Sequence, residues 1–107
     1  MGLQDNQIIL KNNQAEYADL LVFDILTFRG VRIEYSITRA DQTELGDIHL
    51  SYNRITKTAQ ITTEANFDDV GIRFCATVDN VNIRLVYKTT NTGVQALFKY
   101  NLIYFAL

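Results

Sequence analysis

Apolar and polar residues alternate along much of this chain with a period of two. The pattern is clearest over residues 31–39, where Val31, Ile33, Tyr35 and Ile37 fall on one side and Arg32, Glu34, Ser36 and Thr38 on the other. A helix repeats apolar positions every three or four residues, so this run predicts a half-buried strand. Comparable segments predict strands at 7–10, 20–25, 47–52, 55–62, 70–78, 81–88 and 96–105. Loops are expected at 11–19, 40–44, 64–69 and 89–95. Only residues 14–21 carry helical spacing, because Ala15, Tyr17, Ala18 and Leu21 nearly share a face. About eight short strands at regular spacing predict an all-β fold, a single antiparallel β-sandwich or jelly-roll-like domain. It is expected to span 1–107, with a short N-terminal lead at 1–6.

Two hairpins follow from the pattern. Asp79-Asn80 lies between two apolar-alternating runs, and both residue types tolerate the positive φ of a tight turn. A two-residue loop there pairs Val78 with Val81, Ala76 with Ile83, Phe74 with Leu85 and Ile72 with Tyr87, so each inward residue meets an apolar partner. A turn at Asn53-Arg54 pairs Tyr52 with Ile55 and Ile48 with Ala59, but sets Leu50 against Lys57. The last segment, Leu102-Ile103-Tyr104-Phe105-Ala106-Leu107, is apolar on both faces. Either it is a strand buried on both sides, or one face docks on another copy of the chain. Leu102, Tyr104, Phe105 and Leu107 are the candidate association residues.

Composition narrows the chemistry. The 107 residues are 48% hydrophobic and 21% charged, enough apolar matter for a core and inconsistent with disorder. Ten basic residues against twelve acidic ones give a net charge of -2, without the basic stripe that phosphate backbones attract. Roughly a quarter of the chain is Val, Ile or Thr, which suit a pleated surface. One Cys excludes an internal disulfide, and one Cys with one His makes a tetrahedral zinc site unfavourable. The N-terminus lacks a basic region followed by a long apolar run, and Asn6 stands where a myristoylation motif needs Ser or Thr. Neither a secretory signal nor a membrane span is expected, so the reading is a soluble protein.

No catalytic motif is visible: no phosphate-cradling glycine loop, no nucleophile elbow and no paired-histidine metal motif. His49 is expected on an outward strand face, solvated or at an interface. Cys75 alternates outward, with Arg84 placed across the hairpin where a cation would lower the thiol pKa; a semi-buried structural thiol is the favoured reading. Glu64, Asp68 and Asp69 with Asn66 have the oxygen chemistry of a calcium site but not the spacing of an EF-hand. Of the twelve aromatics, Tyr35, Tyr52, Phe74, Tyr87, Phe98 and Tyr100 fit inward positions. Phe28, Phe67 and Tyr17 sit at strand ends or in loops and are the candidates for contact with a sugar. Arg29, Arg32 and Arg39 form a modest basic edge balanced by Glu34 and Asp41. No catalytic residue, metal or cofactor is assigned, and neither nucleic acid nor membrane is an expected partner.

The order of segments carries more than any one of them. Leu21-Val22-Phe23-Asp24 precedes Val31-Arg32-Ile33-Glu34-Tyr35-Ser36-Ile37-Thr38-Arg39, and then Gly46-Asp47-Ile48-His49-Leu50-Ser51-Tyr52. Val70-Gly71-Ile72-Arg73-Phe74 and Tyr87-Lys88-Thr89-Thr90-Asn91-Thr92-Gly93 follow. Together, over roughly residues 20 to 100, they resemble small all-β domains of tailed-bacteriophage virion proteins, such as tail fibres, appendages and head decorations. Lys88 replaces the Thr usual after the Tyr, and Asp79-Asn80 replaces a glycine-containing turn. The long shaft of a tail fibre is missing from the sequence. The resemblance implies a non-enzymatic virion structural protein that self-associates, as a trimer, and docks on other virion proteins. The alternative from another class is a carbohydrate-binding module that recognises host surface glycans through Phe28 and Phe67.

Overall fold

The computed structural model describes residues 6–105. Eight antiparallel strands form two sheets: β1 (Gln7–Leu10), β2 (Ala18–Asp24), β3 (Gly30–Arg39), β4 (Gln42–Asn53), β5 (Thr58–Phe67), β6 (Ile72–Val78), β7 (Asn82–Thr89) and β8 (Ala96–Tyr104). The larger sheet has the order β1-β8-β3-β4-β5 and the smaller β2-β7-β6. The strands β3, β4 and β5 run as a meander in one sheet, so the division is five and three; this is a β-sandwich. Residues 14–21, the one stretch with helical spacing, form no helix, because Ala18 onward pairs with β7 instead.

Period-two alternation fixes the core. Val31, Ile33 and Ile37 of β3, Ile48 and Leu50 of β4 and Phe98 of β8 are fully buried on the inner face. They meet Ile83 and Leu85 of β7 from the opposing sheet. All six aromatics expected inside are there, with Tyr35 stacked on Phe98 at 5.5 Å and Phe98 on Tyr100 at 5.4 Å. Each such ring pair adds about 1 kcal/mol to the area it buries.

Both hairpin registers differ from the two-residue loops expected, and for one reason. Asp79 Oδ1 accepts from the backbone N–H of Val81 and of Asn82, each at 2.7 Å, so the turn holds four residues. Val78 then faces Ile83 and Phe74 faces Tyr87, a slip of two. Asn53 Oδ1 does the same for Ile55 and Thr56, and Lys57 closes that turn at φ 59. Tyr52 therefore faces Ala59, a slip of four, and Leu50 meets Ile61 rather than Lys57. A slip by an even number leaves every side chain on its own face. The Asn53 turn also moves the start of β5 to Thr58, and β5 then takes in residues 64–67 of the loop expected at 64–69.

Two buried polar groups hold one end of the sandwich. Arg39 continues the inward row of β3 and is 3% exposed, which corrects its placement on a basic surface edge. Its guanidinium donates to the carbonyls of Val70 (2.8 Å), Thr90 (2.6 Å) and Val94 (2.9 Å), to Thr90 Oγ1 (3.2 Å) and to Asn12 Oδ1 (2.8 Å). Asn12 Oδ1 also accepts from Thr92 N and Gly93 N. The planar fork of an Arg is suited to gathering several acceptors at once. Here it ties the β1–β2, β5–β6 and β7–β8 connections to β3.

The second group is Tyr35, which lies opposite Gly46 in the β3–β4 ladder. A Cβ on Gly46 would fall 2.7 Å from Tyr35 Cζ, so the glycine leaves the space the ring occupies. The phenol crosses that space and donates to Glu44 Oε2 at 2.7 Å. Burial pushes the Tyr35 phenol well above its usual range, and the hydrogen bond to Glu44 and that carboxylate's charge push it further.

Replacing Arg39 by Met keeps the bulk but strips five acceptor atoms of their guanidinium donor. The expected cost is about 3–5 kcal/mol, seen as a lower urea midpoint; a loss under about 1 kcal/mol would show that water serves the loops equally well. Tyr35 binds its proton more tightly folded than unfolded, so its contribution is whole below the unfolded value near 10 and falls as pH rises above it. The wild-type chain should therefore lose stability in alkali more steeply than Tyr35→Phe. Parallel stability curves above that pH would contradict the assignment.

Candidate functional site

The end of the sandwich opposite Arg39 has another character. Here lie the β2–β3 loop, the β4–β5 and β6–β7 turns and the last residues of β8. Three of these connections are built alike. Asp24 Oδ1 accepts from Leu26 N at 2.8 Å, Asn53 Oδ1 from Ile55 N at 2.9 Å and Asp79 Oδ1 from Val81 N at 2.7 Å. In each, a short polar side chain bonds the backbone two residues on, the local alternative to a backbone turn. The residue whose N–H is held is a large aliphatic that points into solvent: Leu26 is 76% exposed, Ile55 93% and Val81 also largely so.

Cross-links set the three displays beside one another. Ile25 N donates to Val81 O at 3.0 Å, and Arg54 Nη2 donates to Leu26 O. The turn at Asp79 is reinforced electrostatically: its two backbone hydrogen bonds, with Arg84 on its other oxygen, hold the carboxyl down at about 2. Arg84 Nη1 also reaches Asp19 at 2.6 Å. These are exposed pairs, worth little in stability, but they fix which way the turn points.

The end of β8 completes the surface. Tyr104 is 60% exposed and Phe105 48%. Tyr104 stands edge-on to Phe23, with ring centroids 6.3 Å apart. A groove of about 360 Å³ runs between Tyr104 and the segment holding Val22, Phe23, Thr27 and Phe28. Phe105 turns to the outer face of the large sheet, where its N–H donates to Gly30 O at 3.1 Å and its ring lies 6.4 Å from that of His49. Leu102 is different: it pairs with Ile33 and packs half-buried against the core. Tyr104 and Phe105 are therefore the exposed members of the expected association set, and Leu107 lies outside the described residues.

Val22 and Leu26 were not singled out from the sequence, and Val81 and Ile55, expected as the partners of Val78 and Tyr52, stand instead in the turns and are exposed. The signal was available: Asp24-Ile25-Leu26, Asn53-Arg54-Ile55 and Asp79-Asn80-Val81 each put an aliphatic residue where a turn tip is normally polar.

The candidate ligand residues stand elsewhere. Phe28 is corrected outright: its N–H bonds back to Asp24 O at 3.0 Å, the ring turns onto Phe23 with centroids 4.8 Å apart, and it is 4% exposed. No sugar reaches that face. Phe67 closes β5 opposite Glu44, and its side chain lies outside the described part of the structure. Nearby, between β5 and β6, opens a cleft of about 420 Å³ lined by Tyr17, Phe74, Asn66, Asp68, Asp69 and Arg73, among others. Asp68 Oδ2 is occupied by Thr43 N and Asp69 Oδ1 by Gly71 N. Among the described residues no group of three or more His, Cys, Asp or Glu side chains is arranged to hold a metal ion. His49 is exposed on the outer face of the large sheet. Cys75 faces Val86 rather than Arg84, because the register slip sets Arg84 opposite Thr77.

Comparisons with protein-family models, with curated proteins and with solved structures gave no match to this chain. The apolar end is thus defined by its own geometry: exposed aliphatic side chains on turns held by local hydrogen bonds, with Tyr104 resting on Phe23 at their edge. Such a surface binds by burying area, and the pinned turns reduce the entropy lost on contact.

Replacing Leu26 and Ile55 together by Ser should leave thermal stability within about 0.5 kcal/mol, because neither residue has core contacts to lose. The same change should lower the fluorescence of a dye that binds exposed apolar surface. A large loss of stability would mean that these residues serve the fold instead.

Proposed function

We propose that this chain is a non-enzymatic structural component of a bacteriophage virion, of the tail-fibre, appendage or capsid-decoration type, that self-associates and docks on the particle. The observation that carries the association half of this reading is the triplet of pinned turns displaying Leu26, Ile55 and Val81 beside Tyr104. A single exposed aliphatic is ordinary on a protein surface, but several held at one end form a contact patch. The sequence resemblance supports the virion setting and the trimer. The apolar end supports a contact that excludes water, made with copies of this chain or with a neighbouring virion protein.

A second reading rests on the cleft between β5 and β6. Ring faces, carboxylates, an amide and an Arg at its wall are the groups that bind a polyhydroxylated ligand. The carbohydrate alternative therefore gives up Phe28, keeps Tyr17 and adds Phe74 and Asp69.

Light scattering of the full chain tests the leading reading. Wild type is expected to show a mass above the monomer, three times it for the trimer. Leu26→Asp with Tyr104→Ser should abolish that threefold association, leaving at most a contact made elsewhere on the chain, with an unchanged circular dichroism spectrum. A chain that is monomeric at every concentration and does not bind tailed-phage particles overturns the proposal. Binding on a glycan array that is lost with Tyr17→Ala and kept in the Leu26/Tyr104 variant would instead favour the second.

A further inference from the structure

A two-sheet sandwich that does not close into a barrel has four free strand edges, here those of β1, β5, β2 and β6. An open edge is a row of unpaired N–H and C=O groups, and proteins that stay monomeric blunt such rows with short strands, bulges, basic residues or Pro. Three of the edges show these devices. The β1 strand has four residues. The β2 strand is bulged between Asp19 and Leu21 and carries Asp19 and Asp24. The β6 strand is seven residues long and begins with Ile72-Arg73, which places a cation on the edge.

The β5 edge has none of them. It runs for ten residues, Thr58–Phe67, in unbroken register with β4. Its sequence holds no Pro, no Lys or Arg and a single charge, Glu64. Among the described residues its backbone bonds to β4 alone, so the N–H and C=O groups of its other side have no backbone partner. The smaller sheet covers it only in part: β6 comes close across the cleft between them, yet Thr63 and Ala65 of its inner face are exposed, and Ala59 and Ile61 only half-buried.

We infer that β5 is a pairing edge, and that its partner is β5 of a second copy of this chain, antiparallel about a two-fold axis at Thr62. The sequence is self-complementary in that register. Thr62 meets Thr62, Ala59 meets Ala65 and Ile61 meets Thr63. Gln60 lies across from Glu64 of the other copy, so the one charge on the strand never faces itself. Threonine pairs and Gln–carboxylate pairs are both favourable when directly opposite. The two large sheets then continue as one across the dimer, an isologous contact in which each residue appears twice. This contact uses neither the turns nor the end of β8, so it stands or falls apart from the association proposed there.

Charge placed at position 60 tests the register by sign. In the monomer Gln60 is an exposed outer-face residue, and a change there disturbs no core. Gln60→Lys sets two opposite-charge pairs across the two-fold and should tighten dimerisation by roughly fivefold; Gln60→Glu opposes like charges and should weaken it by a similar factor. Sedimentation of the full chain over a dilution series reads both. Hydrogen exchange supplies a second reading: the β5 amides that point away from β4 should be slow in the concentrated wild type and fast in Thr62→Lys, which puts two cations face to face. Indistinguishable dissociation constants for wild type and the two Gln60 variants overturn the inference. So do β5 amides on that side that exchange equally fast at all concentrations. If Leu26→Asp with Tyr104→Ser abolishes association while the Gln60 variants do nothing, the turn surface alone is the contact.

Discussion

A buried guanidinium that, among the described residues, has no carboxylate partner is the constraint around which one end of this sandwich is organised. A guanidinium keeps its charge in proteins, so burying one has to be answered by acceptors. At Arg39 the charge is answered by carbonyl and amide oxygens from three connections. These segments are far apart in sequence and have few apolar side chains to bury. Each is positioned because an acceptor on it is needed at one point in space. The loops follow the side chain rather than the reverse.

That arrangement gives the molecule two unlike ends. At one, polar groups turn inward and satisfy each other, and Tyr35 over Gly46 seals the sheet below them. At the other, polar side chains of Asp24, Asn53 and Asp79 also act locally, yet each stiffens a turn so that its apolar neighbour faces out. The same chemistry, a short side chain bonding the nearby backbone, serves the core in one place and display in the other. Display of this kind costs the monomer solubility and returns nothing to its stability, which is why it reads as a surface kept for a partner.

How much of this was legible depends on what each pattern encodes. The inward row Val31, Ile33, Tyr35, Ile37 was readable because the period of two is a property of the strand alone. The identity of the core rings followed from the same parity. Register was not readable, because shifting by two or four residues leaves the alternation unchanged. The choice was made by Asp79 and Asn53 accepting backbone hydrogens, and by Lys57 adopting a positive φ. Arg39 looked like surface because its charge outweighed its position in the inward row; the row was the better guide. Phe28 looked like a loop residue until the turn at Asp24 folded it onto Phe23. The assignment of strands to two sheets leaves no local mark, and so the open edge of β5 was invisible.

The last strand lies between β1 and β3, pairing with both. The chain therefore has no stretch of large sheet containing β1 until β8 arrives. The β3–β4–β5 meander and the β6–β7 hairpin close only short loops and form early. The β1 strand must wait for a partner almost the whole length of the domain away. During that interval the meander has two open flanks, and the side that β8 will cover is lined with Val31, Ile33 and Ile37. How often this chain reaches its native state is thus a race between the docking of β8 and the capture of that flank by a neighbouring nascent chain.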